Sequence, residues 1–349
     1  MPGRNSLRIA IYVASSFPLA VAVCSPLGAF DARGDSTPGA RWGHVFVYDP
    51  VRQQVVLFGG AREEDEYLRD SWTWDGRSWT RHQVIGPPAR GFSAAAFHAG
   101  RGTLVLHGGR GLDGVTYSDT WEWDGSAWRQ IEAAGPYQSD HHRMVYVADQ
   151  NHLVAFGGWS GQDVSGGTWV WDGGWRQATN QGPRKRAAFA MAYDADRKTV
   201  VLCGGLWLDG QYADVWEWDG RTWSPASGPY DNSSLDHHSM VYDERRHKLV
   251  VFGGKNYRYR PLGGMMEVVG GRLRRLANHG PSPRHSAGLT YDSGRGRILV
   301  YGGKQYRGGQ KIALSDLWSW DGVEWQELGL AARVDRRDCS DGQGCLNPP

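Results

Sequence analysis

Val55-Val-Leu-Phe-Gly-Gly60, followed after a short polar loop by Asp70-Ser-Trp-Thr-Trp-Asp-Gly76, decides the fold, because the chain keeps returning to it. Apolar runs at residues 55–58, 104–107, 153–156, 200–203, 249–252 and 298–301 each end in a glycine pair. The pairs begin at Gly59, Gly108, Gly157, Gly204, Gly253 and Gly302, at separations of 49, 49, 47, 49 and 49 residues. A fixed period near 50 is the mark of a repeat array, in which each unit buries its faces against its neighbours.

Working outward from the glycine pair, every repeat has the same parts. An alternating segment ending near Tyr-Asp comes first, at residues 45–49, 94–98, 144–147, 190–194, 240–243 and 288–292. The apolar run, the glycine pair and a loop of about ten residues follow, then the tryptophan strand, an Asp-Gly turn and a short last strand. Trp72 and Trp74 stand two apart and so share one sheet face, with Thr73 on the other. Asp75-Gly76 and its equivalents are hairpin turn signals. Fifteen of the 18 tryptophans belong to this template, the exceptions being Trp42, Trp159 and Trp207. The fifth repeat reads Met266-Glu-Val-Val-Gly-Gly-Arg-Leu273 without tryptophan and should form the least regular unit. Six units of four antiparallel strands predict an all-β, six-bladed β-propeller. The first and last repeats are both complete, so closure needs no strand borrowed from the other terminus.

The apolar-Gly-Gly, the aromatic-x-Asp-Gly and the spaced tryptophans resemble kelch repeats over residues 38–330, of the exported bacterial type within the galactose oxidase/kelch superfamily. The resemblance implies the propeller and leaves function open, since kelch propellers include enzymes, lectin-like binders and protein-interaction platforms.

The remaining sequence bounds the setting. The net charge is +2 over 349 residues and there is no polybasic run, which argues against a nucleic-acid partner. Arg4 and Arg8 precede an apolar stretch at residues 9–23, the pattern of a secretory signal occupying residues 1–30, with a polar linker at 31–37. The protein is therefore expected to be secreted or in the cell envelope. Cys24 is a poor match to a lipidation box, and simple cleavage nearby is the preferred reading over a lipid anchor. Cys339 and Cys345, in a tail at residues 331–349, suggest a small disulfide loop. Cys203 takes the place of a core phenylalanine and should be a buried free thiol. A monomer without a metal or cofactor is expected.

Strand order selects one face for a site. In an antiparallel blade, the segment leading into the first strand lies beside the loop that follows the glycine pair. Trp42, Trp159 and Trp207 fall on that rim, as do Tyr257, Arg258, Tyr259 and Tyr306. Aromatic rings beside arginines suit sugars and anions; the same rings could instead close the loops against the blades. Arg41, Arg90, Arg186 and Arg284 share one position in blades 1, 2, 4 and 6. Blades 3 and 5 carry Asp140-His141-His142 and Asp236-His237-His238. His44, His142 and His238 are equivalent in alternate blades, a set that could bind neighbouring turns, line a ligand mouth or surround a metal. The first expectation is a non-catalytic propeller binding a carbohydrate or protein ligand through Trp42, His44, Arg90, Trp159, Arg186, Trp207, Tyr257, Arg258, Arg284 and Tyr306. The alternative is a sugar-acting enzyme of epimerase or lyase type. It would use Asp140, His142, Asp236 and His238 as acid-base groups and Arg90, Arg186, Arg258 and Arg284 as an anion clamp. The cysteine-tyrosine copper chemistry of the superfamily has no support, because Cys203 sits at a core position.

Overall fold

The computed structural model describes residues 36–329, except 64–65, 134, 137, 162, 208–209, 227–234, 257, 259 and 278. The signal segment, Cys24, Tyr257, Tyr259 and the Cys339/Cys345 tail therefore lie outside the described residues.

Six four-stranded antiparallel sheets follow one another along the chain, each made from one repeat. Blade 1 is Val45–Asp49, Gln54–Phe58, Ser71–Trp74 and Trp79–His82, in that spatial order. Blade 6 is Gly288–Asp292, Arg297–Arg307, Gln310–Trp320 and Trp325–Glu327, so both ends of the ring are built from local sequence. The first strands stand innermost, each touching the first strands of both neighbouring blades, and blade 1 meets blade 6. Blade 5 keeps four strands despite its missing tryptophans, with a register shift at Met265/Met266; blade 3 has a similar one at Thr168/Trp169.

There is no single core. Each of six apolar clusters spans one blade interface. Between blades 1 and 2, for instance, Val56 and Phe58 pack on Leu104, Leu106, Trp123 and Trp128. The second strand is apolar on both faces because each face meets a different neighbour. The fourth-strand tryptophan adds a polar tie where the preceding blade offers a hydroxyl. Trp128 Nε1 donates to Ser71 Oγ at 2.9 Å, Trp175 to Thr120 at 2.9 Å and Trp223 to Thr168 at 2.8 Å. At the same position blade 5 has Met265 and blade 6 has Leu317, and the indole nitrogens of Trp325 and Trp79 are left without a partner.

A hoop of backbone hydrogen bonds encircles the axis. Gly43 N–H donates to Ser286 C=O, Ser286 to His237, His237 to Ala188, Ala188 to His141, His141 to Phe92 and Phe92 back to Gly43, over 2.6–3.0 Å. All six residues have φ between 52° and 62°, five of them without being glycine. Left-handed backbone costs a non-glycine residue about 1–3 kcal/mol and persists only where the surroundings over-determine it. Here the closed ring of bonds does so.

Candidate functional site

The six short bridges between chain segments define the face chosen from strand order. Trp42 pairs with Ala61, Gly91 with Arg110, Asp140 with Trp159, Ala187 with Leu206, Asp236 with Lys255 and His285 with Lys304. The residue entering each first strand thus lies against the residue just after each glycine pair. Both rings of residues surround the hoop.

The hoop's own side chains form the centre of this mouth. The Phe92 ring lies over Gly43, where a Cβ would come within 2.5 Å of it. His141 stacks on Phe92 at 3.9 Å, His237 meets His141 edge-on at 5.1 Å, and His285 continues the arc to Tyr306. His141 Nδ1 bonds Asp140 Oδ1 and His237 Nδ1 bonds Asp236 Oδ1, both at 2.5 Å. An ionised carboxylate only accepts, so each Nδ1 is the donor, and in the neutral ring Nε2 carries the free lone pair. Gln211 Nε2 also donates to Asp236, and Lys255 Nζ stands 3.4 Å from it. Burial alone would raise the Asp236 carboxyl; the bond from His237 and the charge of Lys255 outweigh it and hold the group at about 2. Burial pushes His237 down to about 4 in spite of Asp236, and takes His285 to about 2 with help from His237, Lys255 and Lys304. Lys304 lies over the Trp42 ring at 4.3 Å, and its ammonium is lowered by burial and by repulsion from Lys255. At neutral pH the mouth therefore presents the neutral imidazoles of His237 and His285 with two mutually repelling lysines beside them.

The expected arginines are elsewhere. Arg90 forms a two-pronged pair with Asp119 at 2.5 and 2.8 Å and donates to the Gly108 carbonyl. Arg186 does the same with Asp214 and Gly204, and Arg284 with Asp316 and Gly302. Arg41 matches them with Asp70 and Gly59. These four are 0–1 % exposed and bind the head of the tryptophan strand to the glycine-pair turn within one blade. Blades 3 and 5 lack the arginine, with Ser139 and Leu235 in its place, and also lack the aspartate, with Gly167 and Gly264.

His44, His142 and His238 turn into three different blade interfaces. Their rings pack on Gly302, Gly108 and Gly204, and His238 Nε2 is 3.2 Å from the sulfur of Cys203, the buried free thiol. Burial, the main cause in each, lowers His44 and His238 to about 3 and His142 well below its ordinary value. No group of three His, Cys, Asp or Glu among the described residues is placed to hold a metal ion. Trp42 is buried beneath Lys304, Trp159 is partly buried beside Asp140 and Val164, and Trp207 lies in a two-stranded ribbon, Leu206–Trp207 with Gly210–Gln211. Tyr306 is 43 % exposed. The Arg258 backbone N–H donates to Asn256. The structure thus brings together Trp42, Trp159, Asp140, Asp236 and Tyr306 around the mouth, and adds His141, His237, His285, Lys255 and Lys304. Sequence reasoning passed over the last three, although Lys255 and Lys304 directly follow a glycine pair.

These features define the class, a six-bladed β-propeller with its variable residues gathered at one axial mouth. The solved structure of YjhT is similar to this chain, with a TM-score of 0.65 at 14% identity, covering 84% of this chain and 98% of that one. At that identity the likeness concerns the fold alone. No family model and no curated protein matches the sequence.

Proposed function

We propose that this is an exported kelch-type propeller that binds a carbohydrate bearing an anionic group at its axial mouth. The observation that carries the reading is a lysine over a ring face there, with a second lysine close enough to repel it. Lys304 covers Trp42 and repels Lys255, while His141 and Tyr306 offer flat surfaces for sugar CH groups. An anionic substituent would relieve the lysine repulsion, and burial strengthens that attraction. Binding is tested by titrating neutral and carboxylated or sulfated oligosaccharides against the wild type and a Trp159→Ala, Lys304→Ala double variant. Selective binding of the anionic sugars, lost in the variant, is expected. Equal binding by both proteins, or none by either, would remove the proposal.

A second reading, a sugar-acting acid-base enzyme, is favoured by the two Asp-His pairs. Their imidazoles stand 5.1 Å apart, each with Nδ1 held by a carboxylate. The acid-base groups would then be His141 and His237, each one position before the histidine that the sequence suggested. Proton or deuterium exchange into a bound sugar, followed by NMR and abolished in His141→Gln and His237→Gln, separates an enzyme from a binder.

A further inference from the structure

Beneath the hoop, the central channel contains a charge that the fold does not answer. A cavity of about 160 Å³ runs along the inner strands, with lining residues from all six blades. Its walls are mixed, with Phe46, Met144, Met191, Met240 and Leu289 beside Ser93, Ser239 and Ser286, and Arg143 is the one cation among the described lining residues. The five positions equivalent to Arg143 are Val45, Ala94, Ala190, Ser239 and Gly288, none of them charged.

Arginines elsewhere in the blades meet carboxylates. Arg41, Arg90, Arg186 and Arg284 do so at the tryptophan strands, and Arg52, Arg197, Arg246 and Arg295 pair with aspartates at the ends of inner strands. Arg143 makes a long 3.4 Å bond to the His142 carbonyl, and no carboxylate among the described residues pairs with it. Its surroundings pull the guanidinium down to about 10 through burial, with no acidic neighbour opposing. Each first strand is also the edge of its sheet, so its inward backbone groups have no ladder partner.

We propose that the channel binds a small carboxylate, with both oxygens on the Arg143 guanidinium and a short alkyl part against Met144, Met191 and Met240. A planar guanidinium matches a carboxylate with two parallel hydrogen bonds, and the thioethers adapt to a small apolar group. Size agrees: a single water needs roughly 10–15 Å³ measured this way, so the channel admits a carboxylate of two to four carbons with water beside it. The cavity shares the hoop residues Gly43, Phe92, His141, His237 and Ser286 with the mouth, but Arg143 has no part in the sugar proposal, so the test at Arg143 reads the two apart.

The test is thermal unfolding of the full chain in sodium acetate and sodium propionate, against sodium chloride at equal ionic strength. The wild type should show a saturable rise in Tm, on the order of 5 °C at a hundredfold excess over Kd, with the carboxylates and not with chloride. Arg143→Gln should lose the rise. An equal rise with chloride, or one retained in Arg143→Gln, would overturn the proposal. If that variant does not fold, calorimetric titration of the wild type with propionate decides: one site per chain supports the proposal, and no heat beyond dilution refutes it.

Discussion

Lowering the pH from 8 to 5 should destabilise this protein through three histidines buried at blade interfaces. His44, His142 and His238 are 9 %, 2 % and 0 % exposed, and burial lowers all three imidazoles in the folded state, His44 and His238 to about 3 and His142 well below its ordinary value. In the unfolded chain an imidazole takes up its proton near pH 6.5. Below that value the unfolded state binds more protons than the folded one, so stability present above pH 6.5 is lost as the pH falls towards the depressed folded values. Between pH 8 and 5 His44 and His238 should cost about 2 kcal/mol each, about 4 kcal/mol together, with His142 adding in the same direction, a large part of a total stability of ~5–15 kcal/mol. The paired aspartates do not confuse the measurement. Asp70, Asp119, Asp214 and Asp316 are held below the usual carboxylate range, because their arginines outweigh burial, and they stay ionised through pH 5. The chain supplies its own control residue. Phe189 occupies the same position in blade 4, is fully buried, and packs its ring on Gly157 as His142 packs on Gly108. Urea unfolding of the wild type and of a His44→Phe, His142→Phe, His238→Phe variant at pH 8, 7, 6 and 5 gives the comparison. His107, His237 and His285 remain in both proteins, so the difference between the two pH profiles reports the three rings together with their coupling to His107 and His237. Parallel profiles, within about 1 kcal/mol from pH 8 to 5, would refute the reasoning.

Other outcomes follow from the blade ties and the hoop. Asp119→Asn should cost about 3–5 kcal/mol in urea unfolding, because it strands the buried Arg90 charge; a loss under 1 kcal/mol would show that Arg90 reaches water. Gly43→Ala places a methyl group against Phe92 at φ 62° and should destabilise by about 1–3 kcal/mol, with part recovered by adding Phe92→Ala. No recovery would mean that the backbone conformation alone sets the cost.

Much of this architecture was legible because it is written locally. The apolar runs, the Trp-x-Trp spacing and the Asp-Gly turns each act within a few residues, and their sixfold recurrence gives the blade count. Even the face was legible, since antiparallel order alone places the loop after Gly59 beside Trp42. The partners of the polar residues were not. The sequence shows arginine in blades 1, 2, 4 and 6, but only the fold shows that each meets an aspartate 28–32 residues later in its own blade. Asp140-His141-His142 offers two adjacent histidines, and the sequence reading chose the one that turns into a blade interface.

By itself, the sequence determines the strands, their grouping into six sheets and the rim on which variable residues collect, because these rest on two-residue alternation and short turns. Only the tertiary structure decides which side chains face the axis. That choice depends on one left-handed residue per blade, at Gly43, Phe92, His141, Ala188, His237 and Ser286. Five of these are not glycine and carry no local signal for such a backbone. They adopt it because ring closure gives each N–H the carbonyl of a neighbouring blade, an interaction that does not exist until all six blades have met.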